Sequence, residues 1–380
     1  MPVERQLPSE DARALLDLTR EIADKVLDPI VDQHESRETY PDGVFQTLGE
    51  AGLLSLPYPA DVGGGEQPYE VYLQVLEEIA ARWAAIAVAI SVHGLACYPM
   101  SRFGSDAQRE QWLPQMLGGT TVGAYSLSEP HAGSDPAALS CKAAPVAGGY
   151  RINGSKAWIT HGGRADFYTL FARTGEGAQG ISCFHVPART DGLSFGSPEE
   201  KMGLHAVPTT TAHYDNVFIP AEGRIGEEGQ GLAIALSALD GGRLGIAAVA
   251  VGIAQAALDV ATQYAKERTT FGRRIIDHQG LGFLLADMAA AVISARATYL
   301  DAARRRDAGL TYSTQASVAK LVATDAAMKV TTDAVQVLGG AGYTRDYRAE
   351  RYMREAKITQ IFEGTNQIQR LVIARELART

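Results

Sequence analysis

Cysteine is scarce. There are three in 380 residues (Cys97, Cys141 and Cys183), far apart and odd in number. This argues against a disulfide framework or a cysteine-built zinc site, and a reducing, cytoplasmic setting is expected. Excess positive charge is also lacking. The formal charge is −9, so the basic footprint that general nucleic-acid binding needs is missing. None of the eight histidines stands at metal-ligand spacing, and no metal is implied. No apolar run reads as long enough to span a bilayer. The start, Met1-Pro2-Val3-Glu4-Arg5, has no apolar signal region. What is present, 46% hydrophobic and 21% charged residues, suits a globular protein of two or three domains with a sizeable core.

The chain reads as mainly α with one β domain: an N-terminal helical domain (1–122), a middle antiparallel, β-barrel-like domain (123–230) and a C-terminal four-helix bundle (231–380). Ser9 precedes acidic Glu10 and Asp11 as an N-cap, with Leu15, Leu18 and Ile22 on one face. Val71–Val92, rich in Ala, Leu and Ile with Glu77 and Glu78 breaking it, is apolar nearly all round and reads as central to a helical core, and Gly63-Gly64-Gly65 reads as a loop. Strands are expected at 150–152, 167–172, 181–186 and 217–219, with Asn153-Gly154 as a hairpin turn. Four long helices follow, at 244–267, 281–306, 314–338 and 348–377.

Gly175-Glu176-Gly177-Ala178-Gln179-Gly180 matches the dinucleotide GxGxxG literally, but a strand follows it where a helix is required. It reads as a loop between strands. Three other stretches can hold a large polar ligand. Ala124–Asp135 is rich in small hydroxyl and turn residues, which also suits an ordinary loop. Trp158 and Thr160 share one strand face and suit a flat heterocycle, or else Trp158 is core. Arg268 ends a helix before Thr269-Thr270-Phe271-Gly272, where its guanidinium either binds phosphate or complements the helix dipole. Near the C-terminus, Glu363 stands between Ile361-Phe362 and Gly364. Apolar neighbours raise a carboxyl pKa toward that of a useful base; the alternative is a solvated helix end.

In their order, Tyr125–Asp135, Lys156–Thr160, Leu239–Ala247, Glu267–Gly272, Val335–Tyr343 and Ile361–Arg370 resemble the acyl-CoA dehydrogenase family over nearly the whole chain. Asp240–Ala247 and Ser91-Val92-His93 resemble its short-chain, butyryl-CoA dehydrogenase-like branch most. The resemblance implies FAD. Tyr125, Leu127, Ser128, Gly133, Ser134, Trp158, Ile159 and Thr160 would line its ring. Arg268, Thr270, Phe271, His278, Gln279, Gln336, Val337, Leu338, Gly339 and Gly340 would hold its pyrophosphate and adenine side, largely from a neighbouring subunit of a dimer of dimers. Thr365, Asn366 and Gln367 would complete the cofactor contacts. Ser134, Asp240, Gly241, Gly242, Arg243, Phe362 and Gly364 would meet the CoA ester.

The implied reaction is α,β-dehydrogenation of an acyl-CoA to a trans-2-enoyl-CoA. Glu363 takes the pro-R α-proton, hydride passes to flavin N5, and electrons go on to an electron-transfer flavoprotein. Some members of the family carry the base just before the arginine matching Arg243, where this chain has Gly242. His131, Phe362, His205 and Val207 depart from the residues usual in the family. The competing readings are an acyl-CoA oxidase, another reaction on the same fold such as nitroalkane oxidation, and a catalytically silent flavin-binding scaffold. The acyl pocket is expected around Ala87–Cys97 and Ile234–Leu239, where Ala96, Ala235 and Ala238 are small.

Overall fold

The computed structural model describes residues 3–379; Met1 and Pro2, part of the stretch read for a signal region, and Thr380 lie outside them. Six helices come first: α1 Glu10–Ile22, α2 Val31–Arg37, α3 Val44–Glu50, α4 Tyr69–Ala80, α5 Ala84–Phe103 and α6 Asp106–Leu117. Ser9 caps α1, its hydroxyl accepting from Ala12 N at 3.1 Å, as its position suggested.

The stretch 71–92 falls on two helices, α4 and α5, with a break at Ala81-Arg82-Trp83. Glu77 and Glu78 do not break α4; they are buried in ion pairs. Glu77 meets Arg5 at 2.9 Å and Arg296 at 2.8 Å, and Glu78 meets Arg5 at 2.7 Å and Arg20 at 2.8 Å. Burial alone would raise the Glu77 carboxyl, but the two arginines outweigh it and hold it at about 2.

The middle strands are β1 Gly123–Ser126, β2 Lys142–Val146, β3 Gly149–Thr160, β4 Phe167–Arg173, β5 Ile181–Pro187, β6 Leu193–Phe195, β7 Thr209–Pro220 and β8 Arg224–Ile225. They form one sheet in the order β6-β7-β3-β2-β4-β5-β8, with β1 pairing β4. The sheet is mixed rather than purely antiparallel, because β1 runs parallel to β4 and β2 meets β4 in parallel at one pair. Asn153-Gly154 is not a hairpin. β3 runs straight through it with a slip in register against β7, and Gly154 has φ +150°. A Cβ there would lie 2.7 Å from Cys141 Cα, so the glycine serves a bulge and a close strand approach. Gly175–Gly180 does connect β4 to β5 as a loop.

The C-terminal helices are α7 Gly231–Glu267, α8 Gln279–Asp307, α9 Ser313–Leu338, α10 Ala349–Thr359 and α11 Asn366–Leu377, with a small hairpin of β9 Thr269–Thr270 and β10 Arg273–Arg274 after α7. α7 starts well before residue 244 because Gly241 and Gly242 stay helical. The expected fourth helix is broken at Gln360–Thr365. Three helices, α5, α7 and α8, are long and apolar enough to cross a membrane by length and composition, contrary to the sequence reading. That reading counted unbroken apolar runs, whereas these windows are alanine-rich with widely spaced charges. α5 and α7 bury 83% and 89% of their apolar windows inside the molecule, and α8 buries 22%.

Candidate active site

The break between α10 and α11 is where the chemistry sits. Phe362 N still bonds back to Ile358 O at 3.2 Å, then Glu363 (φ +51°) and Gly364 (φ +88°) take left-handed conformations that no helix can carry. For glutamate that costs about 1–2 kcal/mol, a strain of the kind held at functional sites. Thr365 restarts the helix by accepting from Ile368 N at 3.2 Å.

Two side chains hold this turn from behind. Lys320, fully buried in α9, donates to Gly364 O and to Asn366 Oδ1, both at 2.9 Å. Gln369 donates to Gly364 O at 2.8 Å. Asn366 spends its amide on Thr324 and Asp325, so it anchors the loop internally. Among the described residues the Glu363 N–H makes no hydrogen bond.

The Glu363 side chain therefore turns toward α7. The residue is partly exposed as a whole, yet both carboxylate oxygens are buried and, among the described residues, neither has a hydrogen-bond partner. Burial pushes its pKa up to about 7 against the opposing pull of Lys320 and Arg243. Gly242 makes the room: a Cβ there would lie 2.1 Å from Glu363 Oε2. A base carried at 242 and a base carried at 363 would compete for one space.

Around this carboxyl the expected substrate residues gather. Asp240 accepts from Arg243 at 2.6 Å and from Ser313 at 2.9 Å, and Tyr69 Oη donates to Gly241 O at 2.9 Å. Phe362 is half-buried against the main core. Tyr125, at the end of β1, lies close enough for Glu363 to add to the rise in its phenol pKa, after burial and Cys183. Its hydroxyl donates to Ala235 O at 3.3 Å.

From Tyr125 the strand leads to a loop moored by Glu129, which takes Lys156 Nζ at 2.8 Å and Cys141 N at 2.9 Å. Gly133, Ser134 and His131 are exposed on it. Ser128 O accepts from Ala157 N at 2.9 Å, bringing the loop against the end of β3. There a register slip and φ +62° turn Trp158 outward, and Trp158 remains 61% exposed. Thr160 shares that outer face, while Ala157 and Ile159 are buried. An exposed indole beside a hydroxyl and a free turn of backbone suits a flat, heteroatom-bearing ring, so these residues fit the isoalloxazine of FAD.

Leu127, Ile159, Val337 and Leu338 have buried side chains, so their contacts with any cofactor would come from backbone. Arg268, Gln279, Gln336, Gly339 and Gly340 are exposed at the ends of α7, α8 and α9. Phe271 stands 96% exposed at the β9–β10 turn, and His278 lies 3.3 Å from Thr270 O. Gln367 is exposed. Of the departures from the family pattern, His205 is tied between Glu35 O at 3.0 Å and Lys201 O at 2.7 Å, and Val207 is buried. Among the described residues no group of three or more side chains could hold a metal ion. Sequence reasoning missed Lys320, which holds the Glu363 turn, and Tyr69, which bonds Gly241 O.

Three family models match: acyl-CoA dehydrogenase N-terminal domain at residues 9–120, middle domain at 124–217 and C-terminal domain at 229–378. An acyl-CoA dehydrogenase of Bacillus subtilis (strain 168) is 42% identical over 363 residues, covering 95% of this chain and 96% of that one. The structure of butyryl-CoA dehydrogenase from Megasphaera elsdenii superimposes with a TM-score of 0.97 at 38% identity, over 99% of this chain and all of that one. A chain from structural work on the electron transferring flavoprotein of Acidaminococcus fermentans gives a TM-score of 0.97 at 41% identity, each chain fully covered. Matched in this way from end to end, the chain belongs to the acyl-CoA dehydrogenase family and is an FAD-dependent oxidoreductase.

Proposed function

We propose that this enzyme removes one hydrogen from each of Cα and Cβ of a short acyl-CoA thioester, yielding the trans-2-enoyl-CoA. The carrying observation is the buried, unpartnered Glu363 carboxylate set against Gly242. Glu363 takes the α-proton, and its raised pKa matches a base working near neutrality. An α-proton of a thioester is a weak acid, so charge developing on the carbonyl oxygen needs a donor; the uncommitted Glu363 N–H is suited to that role. Bound FAD supplies the acceptor for the β-hydrogen as hydride.

The outward face of Trp158 and Thr160, with Ser128 and Tyr125, would hold the flavin ring. The set at Arg268, Thr270, Phe271, Gln279 and Gln336–Gly340, exposed except for Thr270, Val337 and Leu338, would hold the rest of the cofactor carried by a second copy of the chain. The exposed Phe283 and Ile293 of α8 support such an oligomer, a dimer of dimers. The three proposed units are 1–122, 123–230 and 231–380, the setting is cytoplasmic, and the onward acceptor is an electron-transfer flavoprotein. A panel of acyl-CoA esters assayed with an artificial electron acceptor tests the reaction. Rapid reoxidation of the reduced enzyme by air would replace the flavoprotein with oxygen as acceptor.

Lys320 sets how acidic the base is. Burial pulls Lys320 down to about 7 while Glu363 holds it up, and in return Lys320 lowers the Glu363 pKa. The base works deprotonated, so kcat/KM falls as pH drops through the Glu363 pKa. Lys320→Met will raise that pKa, moving the acid limb of the kcat/KM profile to higher pH with activity recovering at alkaline pH. A uniform loss with the limb unmoved would leave Lys320 as scaffolding alone.

A further inference from the structure

A narrow cavity of about 30 Å³ runs between Gly242, against the Glu363 carboxylate, and Arg306 at the end of α8, walled by Tyr58, Tyr69, Tyr72 and Tyr98. Its small volume favours a short acyl group over a long one. Its far end is charged. Arg306 Cζ lies 3.4 Å from the centre of the Tyr69 ring, and its Nη1 is buried with no hydrogen-bond partner among the described residues. A Cβ at Gly241 would lie 3.7 Å from that Nη1, which places the nitrogen against the same wall as Gly242.

The carboxylates that could have paired with Arg306 are committed elsewhere. Asp307 accepts from Tyr69 N at 2.9 Å and Glu70 N at 3.2 Å; Glu70 pairs with Arg304 at 2.8 Å; Asp240 is taken by Arg243 and Ser313. Among the described residues Arg306 makes no ion pair. The other hydroxyls nearby are spent as well, with Tyr58 donating to Gly94 O and Tyr98 joined to Ser237 at 2.8 Å. Among the described residues the Tyr72 hydroxyl, unlike those of Tyr58, Tyr69 and Tyr98, has no hydrogen-bond partner. A buried guanidinium with an unused donor is costly unless something negative completes it.

Building on the dehydrogenation reading, we propose that Arg306 and Tyr72 form a subsite for the distal carboxylate of a short acyl-CoA, so that the preferred substrate is a dicarboxylic monothioester. The thioester end lies at Glu363 and the carboxylate accepts from Arg306 Nη1 and Tyr72 Oη. The test compares glutaryl-CoA with hexanoyl-CoA, similar in reach but uncharged at the end, on FAD-loaded wild type, Arg306→Leu and Arg306→Lys. Wild type is expected to favour glutaryl-CoA in kcat/KM by about 10²-fold, as a charge-assisted hydrogen bond in a buried site warrants. Arg306→Leu should invert that ratio and Arg306→Lys should fall between. A wild type that oxidises hexanoyl-CoA better, or a ratio unmoved by Arg306→Leu, overturns the subsite; the wild-type ratio decides even if Arg306→Leu fails to fold. If neither thioester is oxidised the dehydrogenation reading falls. Calorimetric dissociation constants then judge the subsite alone: tighter glutaryl-CoA binding in wild type, weakened at least tenfold in Arg306→Lys, supports it and equal binding sinks it.

Discussion

Glu363→Gln protein will remain yellow with bound FAD and lose about 10³-fold or more in turnover on any acyl-CoA the wild type accepts, the scale expected when a positioned base is removed. The amide keeps the shape of the carboxyl and cannot take a proton. Steady-state turnover with an artificial acceptor, alongside the flavin absorbance, measures both statements, and near-normal rates would remove Glu363 from the mechanism. The same variant reports on stability. The wild-type carboxyl binds its proton up to about pH 7 in the folded state but only to about 4.3 when unfolded. Between those values the folded state holds more protons, so its stability declines as pH rises, by about 4 kcal/mol at most. Glutamine carries no such loss. The melting temperatures of variant and wild type should be close at pH 5 and separate in favour of the variant at pH 8.5.

Gly242→Ala will lower kcat/KM by about 10²-fold while leaving flavin content intact. The added methyl would sit 2.1 Å from Glu363 Oε2, so one of the two must move, and a base displaced by about an ångström loses rate on that scale. Because α7 is held along its length by buried neighbours, the carboxylate is the part free to give way. The effect should fall mainly on kcat. Unchanged kinetics would mean that the carboxylate occupies a different place when substrate is bound.

Much of this was readable beforehand. The raised pKa of Glu363 followed from its bulky apolar neighbours, although the left-handed backbone at Glu363 itself left no sequence signal, and the sorting into helical, sheet and helical parts followed from periodicity. Other features were hidden by pairing across distance. Glu77 and Glu78 looked like interruptions because their partners Arg5, Arg20 and Arg296 are remote in sequence. Asn153-Gly154 has the composition of a turn, but cross-strand contact with Cys141 made it a bulge. Lys320 did leave a trace. It sits among Ala316, Ala319, Ala323 and Ala327 on one buried face, where a cation must find acceptors. Arg306 left none, because three consecutive arginines at a helix end look like solvated, dipole-matching residues.

The bond joining Glu77 to Arg296 and that from Tyr69 N to Asp307 each span more than half of the polypeptide. On a ribosome, the first two hundred or so residues cannot settle into their final arrangement by themselves. Glu77 would lack one of its two counterions, and α4 would lack the carboxylate at its leading end, until synthesis had passed residue 307. Nascent chains of this protein are therefore expected to linger half-formed, guarded by chaperones, with assembly completed late and all at once.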